Sequence, residues 1–115
     1  MFNNNALFIG WNRAVPGREK QSIESFQEFL GYLGKQQSSG TIASYTPVVL
    51  GAHGGDLNGF VLIQGTADGI NKLTNDEGFD THFQKGQVTM QGLGVIPAFT
   101  GKEIETRLQK FAKAL

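Results

Sequence analysis

Cysteine is absent from the 115-residue chain, which excludes disulfides, thiolate nucleophiles and cysteine-ligated zinc or iron–sulfur centres. Neither sign of charge dominates. Ten Lys and Arg stand against ten Asp and Glu, so there is no cationic excess to grip a nucleic-acid backbone. No run approaches the about 18 apolar residues that a membrane-spanning helix needs, and Met1-Phe2-Asn3-Asn4-Asn5 has the features of neither a signal nor a transit peptide. Only two histidines are present, too few for a histidine-built metal centre. These absences lead us to expect a soluble, cytoplasmic protein forming one domain over residues 1–115, with residues 1–5 a poorly ordered N-terminus and with no nucleic-acid or membrane partner.

What is present is a regular alternation of strand and helix signals. Ala6–Asn12 reads as a strand and is followed by a turn at Val15-Pro16-Gly17. Ile23, Phe26, Leu30 and Leu33 recur at i, i+3, i+7 and i+10, with Phe29 widening the stripe, and predict a helix. Within it, Gly31 reads as a place where the helix approaches a sheet closely. Thr41–Leu50 alternates and is β-branched, and Phe60–Gln64 is continuously apolar; both read as strands, joined by the glycine-rich loop Gly51–Gly59. Thr66-Ala67-Asp68 opens a second helix that is interrupted near Gly78 and resumes through Phe79 and Phe83. Val88–Phe99 reads as one long strand with a bend at Gly92 and Gly94. Thr100-Gly101-Lys102-Glu103 has the form of a capping box, ahead of a stripe of Ile104, Leu108, Phe111 and Leu115.

This order, β-α-β-β-α-β plus a C-terminal helix, is an α+β arrangement of the ferredoxin-like kind. It has a four-stranded antiparallel sheet with both crossover helices on one face. Right-handed crossovers place the first and third strands at the centre. Proline cannot donate to a ladder and belongs on edges; Pro47 and Pro97 fall in the second and fourth strands, the expected edges. Neither face of the central strands is polar. Leu7, Ile9 and Trp11 oppose Phe8 in one, and Phe60 and Leu62 oppose Val61 and Ile63 in the other. Helices cover one face. The other calls for the C-terminal helix, a bound apolar molecule or a partner chain, and a two-fold homodimer packed sheet to sheet is the simplest closed solution.

Strand Leu7–Asn12 leading into Val15-Pro16-Gly17-Arg18-Glu19, the two proline-bearing edges, and Asn75-Asp76-Glu77-Gly78-Phe79 followed by His82 together resemble the dimeric α+β barrel superfamily over nearly the whole chain. The resemblance implies ferredoxin-like protomers paired around a central space. It also implies a range of roles: cofactor-independent monooxygenases of the antibiotic-biosynthesis type, lactone isomerases, haem-degrading oxygenases and stress-responsive proteins. Fold does not choose among these.

His82 is the leading candidate for chemistry, because the resemblance implies a cavity-facing histidine in the second helical region and imidazole titrates near neutrality. The competing reading is a helix histidine with no role. Trp11, Asn12, Tyr45, Gln64 and Met90 offer apolar bulk or hydrogen-bonding tips for a small apolar or aromatic molecule held between the sheets. The haem-degrading branch implies an asparagine on the first strand, a tryptophan in the second helix and a later histidine. Asn12 and His82 resemble two of these, but Lys72 stands at the tryptophan position. No cofactor is therefore expected, and a haem-binding or haem-degrading oxygenase is the less favoured alternative. His53 and Asp56 have a ligand-like spacing on a floppy loop, and Arg13, Arg18 and Lys20 gather at the start of the first helix; an ordinary hairpin tip and solvated charges account for both. Two readings stay open: a homodimer, or larger assembly through its edge strands, that binds a small molecule, and a metal-free monooxygenase- or isomerase-type enzyme with His82 as base.

Overall fold

The structure, a computed structural model, describes residues 2–115. Its elements in chain order are β1 (Ala6–Trp11), β2 (Arg13–Ala14), α1 (Glu19–Ser38), β3 (Ser44–Val49), β4 (Gly59–Gln64), α2 (Ala67–Thr74), α3 (Glu77–Thr89), β5 (Met90–Gln91), β6 (Gly94–Ala98) and α4 (Lys102–Ala114). Four strands form one antiparallel sheet in the order β3-β4-β1-β6, and β2 pairs with β5 in a separate short ribbon. The expected centre and edges hold: Pro47 lies in edge strand β3 and Pro97 in edge strand β6.

Register explains how the sheet divides its side chains. Leu7, Ile9 and Trp11 pair across from Ile63, Val61 and Gly59, so the buried apolar residues of β1 and β4 share one face. That face packs against Leu33 of α1, Ile70 and Leu73 of α2 and Phe79 of α3, giving one continuous core. On the opposite face Phe8 stacks on Phe60, with ring centroids 4.9 Å apart. Leu62 and Ile96 share that face by register with Phe8, and Ile96 is 52% exposed. Both faces of the sheet are thus apolar, and no helix among the described residues packs over Phe8, Phe60, Leu62 and Ile96 on the second.

Several sequence expectations are corrected. The first helix does not bury Ile23, which is 58% exposed; Ser22 is buried in its place, its hydroxyl folded onto the Glu19 carbonyl at 2.8 Å. The strand expected from Val88 is helix up to Thr89, because α3 continues until Met90 turns into extended backbone at φ −124°, ψ 138°. Gly92, at φ +67°, then turns the chain, and β6 starts only at Gly94. The capping box at Thr100 does not form: α4 starts behind Gly101, at φ 61°, with no side-chain cap. Asn5 is pinned, not loose. Its side chain bonds the Thr100 carbonyl and amide, each at 3.0 Å, and its carbonyl accepts from Gly65 N at 2.9 Å.

Glycine positions give a direct test of this packing. Gly31 faces open space, where a Cβ would meet nothing within 4 Å; the close approach is at Gly34, which lies against the Tyr45 hydroxyl. Gly31→Ala is therefore expected to stabilise the protein by about 0.5–1 kcal/mol through helix propensity. Gly69, in the first turn of α2, would drive a Cβ into the backbone carbonyl of Thr41. Gly69→Ala is expected to destabilise by about 1–3 kcal/mol, the usual cost of overpacking against a neighbour that cannot yield. Urea unfolding of the two variants, moving in opposite directions, checks both.

The C-terminal helix stands apart. None of its residues is buried, and Ile104, Leu108, Phe111 and Leu115 are 48, 61, 64 and 91% exposed. The radius of gyration is 15.2 Å, against about 13 Å for a compact domain of this length.

Candidate functional site

The helix-covered face of the sheet encloses a cavity of about 50 Å³. Ile9, Trp11 and Val95 form its floor, Phe26 and Phe29 of α1 one wall, and Phe79, His82 and Phe83 of α3 the other. The same spacing that places Phe26 and Phe29 on one side of α1, and Phe79 and Phe83 on one side of α3, turns both rows of rings toward the sheet. Trp11 meets Phe26 edge to face at 5.1 Å, the geometry that aromatic quadrupoles favour.

Polar groups in this lining are few and mostly occupied. The Ser22 and Thr89 hydroxyls donate to backbone carbonyls of Glu19 and Lys85, at 2.8 and 2.9 Å. His82 is the exception. Its Nδ1 is buried without a hydrogen-bond partner, and its ring lies 5.8 Å from Phe29 and 5.0 Å from Tyr32. A buried polar atom left unpaired costs free energy unless something reaches it. Burial in this aromatic setting holds the His82 pKa below its ordinary value; the Lys85 ammonium pushes the same way and the Glu28 carboxylate opposes it. The imidazole is therefore neutral at pH 7, with one acceptor nitrogen.

Two polar ties join α1 to α3 outside the rings. Lys85 Nζ bridges to Glu28 at 3.0 Å, and the Tyr32 hydroxyl donates to Asp76 at 2.5 Å. Burial and the Asp76 carboxylate both push the Tyr32 phenol above its usual range, so it stays protonated and donates to Asp76.

Of the residues singled out from sequence, the structure brings Trp11, His82 and Met90 into this one lining. The other three lie elsewhere. The Asn12 carbonyl accepts from the Asn58 side chain, and the Asn12 side chain lies against Gly92. Tyr45 faces the helices but sits against Gly34. Gln64 ends β4 opposite Ala6 and Ser44, and by register it belongs to the open face. This cavity therefore lies between sheet and helices within one protomer. His53 bonds back to the Gly51 carbonyl at 2.8 Å while Asp56 faces Arg13 at 3.9 Å, so these two do not converge. Among the described residues no three His, Asp or Glu side chains gather as a metal site. Arg18 has a structural partner: its guanidinium donates to the Val88 carbonyl in the last turn of α3 at 3.0 Å. Sequence reasoning missed the phenylalanine rows as lining. Their signal was visible in the helical stripes, but it was the same signal that a core gives.

Asn12 lies outside this lining and Lys72 is exposed, so the residues that resemble the haem-degrading set do not converge here.

Sheet order and both crossover helices on one face give this chain a ferredoxin-like α+β fold. Solved structures that share it include two of similar length. PA3566 from Pseudomonas aeruginosa is 13% identical with a TM-score of 0.56, covering 85% of this chain and 95% of its own. SnoaB, a cofactor-independent oxygenase from Streptomyces nogalater, is 14% identical with a TM-score of 0.50, covering 85% of this chain and 96% of its own. At such identities the likeness establishes the fold alone. No family model and no curated protein matches the sequence.

Proposed function

We propose that this protein is a homodimer in which each protomer binds one small aromatic molecule between its sheet and its helices. The observation that carries the reading is the lining: five aromatic side chains from β1, α1 and α3 surround one unpaired polar atom, His82 Nδ1. Such a wall suits a flat apolar guest with a single hydrogen-bonding group. Pairing of protomers is supported by the bare sheet face around Phe8, Phe60, Leu62 and Ile96.

A cavity of about 50 Å³ holds only a water or two. An aromatic guest therefore needs the rings of Phe29 and Phe83 to turn aside. The single tryptophan, Trp11, lies in the floor and reports on that event. With 1-naphthol as probe, saturable quenching of Trp11 emission is expected. Ser25→Leu, which fills the cavity from α1, is expected to weaken it at least tenfold. Absence of saturation into the millimolar range, or equal affinity in the Ser25→Leu protein, would count against binding at this site.

A second reading, a cofactor-independent oxygenase or isomerase, draws on the same unpaired nitrogen. A neutral imidazole in an apolar wall can take the proton of a bound phenol or enol, leaving an imidazolium and an electron-rich anion. The fold shared with SnoaB, a cofactor-independent oxygenase, is consistent with this. Oxygen uptake on adding a phenol, abolished in His82→Gln, is the expected signature, whereas uptake unaltered by that substitution would remove His82 from any such role.

A further inference from the structure

We infer that α4 is an exchanged arm: its apolar stripe seats in a trough on a second copy of this chain. The inference rests on the homodimer proposed above and says which parts of the two chains meet.

The stripe is Ile104, Leu108, Phe111 and Leu115, all about half exposed or more on a helix that buries nothing. Four large apolar side chains in one row make a patch that a soluble protein does not leave in water. The helix does not lack contact with its own body; it makes that contact with another side. Its least exposed residues are Glu103 and Arg107. The Arg107 guanidinium lies over Phe99 at 4.6 Å and over Phe2 at 5.7 Å. At 3.6 residues per turn the stripe sits roughly 70° round the helix from Arg107, so the orientation that satisfies Arg107 turns the stripe outward.

The receptor is an open trough of about 320 Å³ between α2 and β6, bordered also by Phe2, Asn3 and Asn4. Its floor is apolar, with Leu7, Ile70, Val95 and Pro97, and Asp68, Asn71 and Thr74 form its rim. None of the described residues fills it. Charge favours the match. Beyond Glu105, α4 carries Arg107, Lys110 and Lys113 and no acid, whereas the trough's lining carries Asp68 and no cation. Both halves of the contact occur once per chain, so reciprocal exchange about a two-fold axis satisfies every copy and closes the assembly. A 13-residue helix spans about 20 Å, enough to cross from one protomer to the next.

The absence of cysteine makes the test clean, since any thiol is an introduced one. Leu108→Cys and Thr74→Cys are made in separate, differently tagged chains, mixed under denaturant, refolded and oxidised. The inference expects a disulfide-linked pair in this mixture and none when Thr74→Cys is replaced by Lys35→Cys on α1. It also expects Phe111→Glu to weaken dimerisation at least tenfold by light scattering while the circular dichroism of the protomer is unchanged. A dimer that neither cross-links at these positions nor responds to Phe111→Glu overturns the exchanged arm and leaves the dimer standing. A monomer at micromolar concentration overturns both. A disulfide formed inside a doubly substituted single chain, with no linked pair, shows α4 folding back on its own trough and overturns the exchange.

Discussion

Phe60→Asp is expected to turn the dimer into a folded monomer, read by light scattering as the 12.5 kDa chain mass instead of twice that value. Position 60 lies on the open sheet face, where its ring stacks on Phe8 at 4.9 Å. The core face of the same strand is made by Val61 and Ile63, both fully buried. A carboxylate at position 60 therefore leaves the protomer's own core untouched, but cannot be buried unpaired against another sheet. Two-fold symmetry counts the substitution twice. Removing two phenylalanine burials at about 1.5–3 kcal/mol each weakens association by roughly two to four orders of magnitude, before any desolvation of the new charges. The thermal midpoint of the monomer is expected to be independent of protein concentration, and that of the parent to rise with it. Should the parent chain itself run as a monomer at micromolar concentration, the sheet-to-sheet pairing is wrong and this variant has nothing to disrupt.

The features of the fold that were legible in the sequence are those in which one local pattern had one physical meaning. Pro47 and Pro97 marked edge strands because a missing N–H is tolerated only there. The break between α2 and α3 was legible too: the Asp76 side chain accepts from Gly78 N at 3.1 Å and starts a new helix. The pattern failed where tertiary contacts outweighed local preference. Val88-Thr89 is β-branched and reads as strand, yet the Thr89 hydroxyl bonds the Lys85 carbonyl and Arg18 holds the Val88 carbonyl, which extends α3 by its last turn. Thr100 fits a capping box by type, but its carbonyl and amide are both tied to Asn5, and its side chain caps nothing. The site was half legible. His82, Trp11 and Met90 were found by chemical character, because unusual residue types stand out. Asn12, Tyr45 and Gln64 were chosen on the same ground and lie elsewhere, since strand parity and register decide which way a side chain points. The cavity's phenylalanines were read as core, and the sequence pattern of a filled core and of a small gap within it is the same.

Acidification from pH 7 to 5 is expected to destabilise the protein, and His82→Gln to remove most of that loss. The sign follows from proton linkage. The folded-state pKa of His82 lies below its ordinary value of 6.5, chiefly because burial disfavours the imidazolium. The unfolded chain therefore takes up the proton first, and stability is full above about pH 6.5, then falls as the pH drops toward the folded-state value. The charged neighbours are Lys85, whose ammonium adds to the depression, and Glu28, which opposes it; Tyr32 stays neutral, its hydroxyl donating to Asp76. Carboxylates do not confuse the window. The pKa values of Glu19 and Glu28 are lowered from 4.5, so the stability they contribute is lost only at more acid pH. Lys85→Met is expected to shift the His82 transition toward higher pH, because it removes one cation and frees the Glu28 carboxylate. Thermal melts between pH 5 and 8, with the histidine Cε1 proton followed by NMR, read both effects. An aromatic guest that donates a hydrogen bond to the neutral ring binds only the unprotonated form, so naphthol affinity is expected to fall over the same pH interval in the parent and to stay flat in His82→Gln. Agreement of the two intervals would tie the unpaired nitrogen to the guest; a pH-independent affinity in the parent would place the guest away from it.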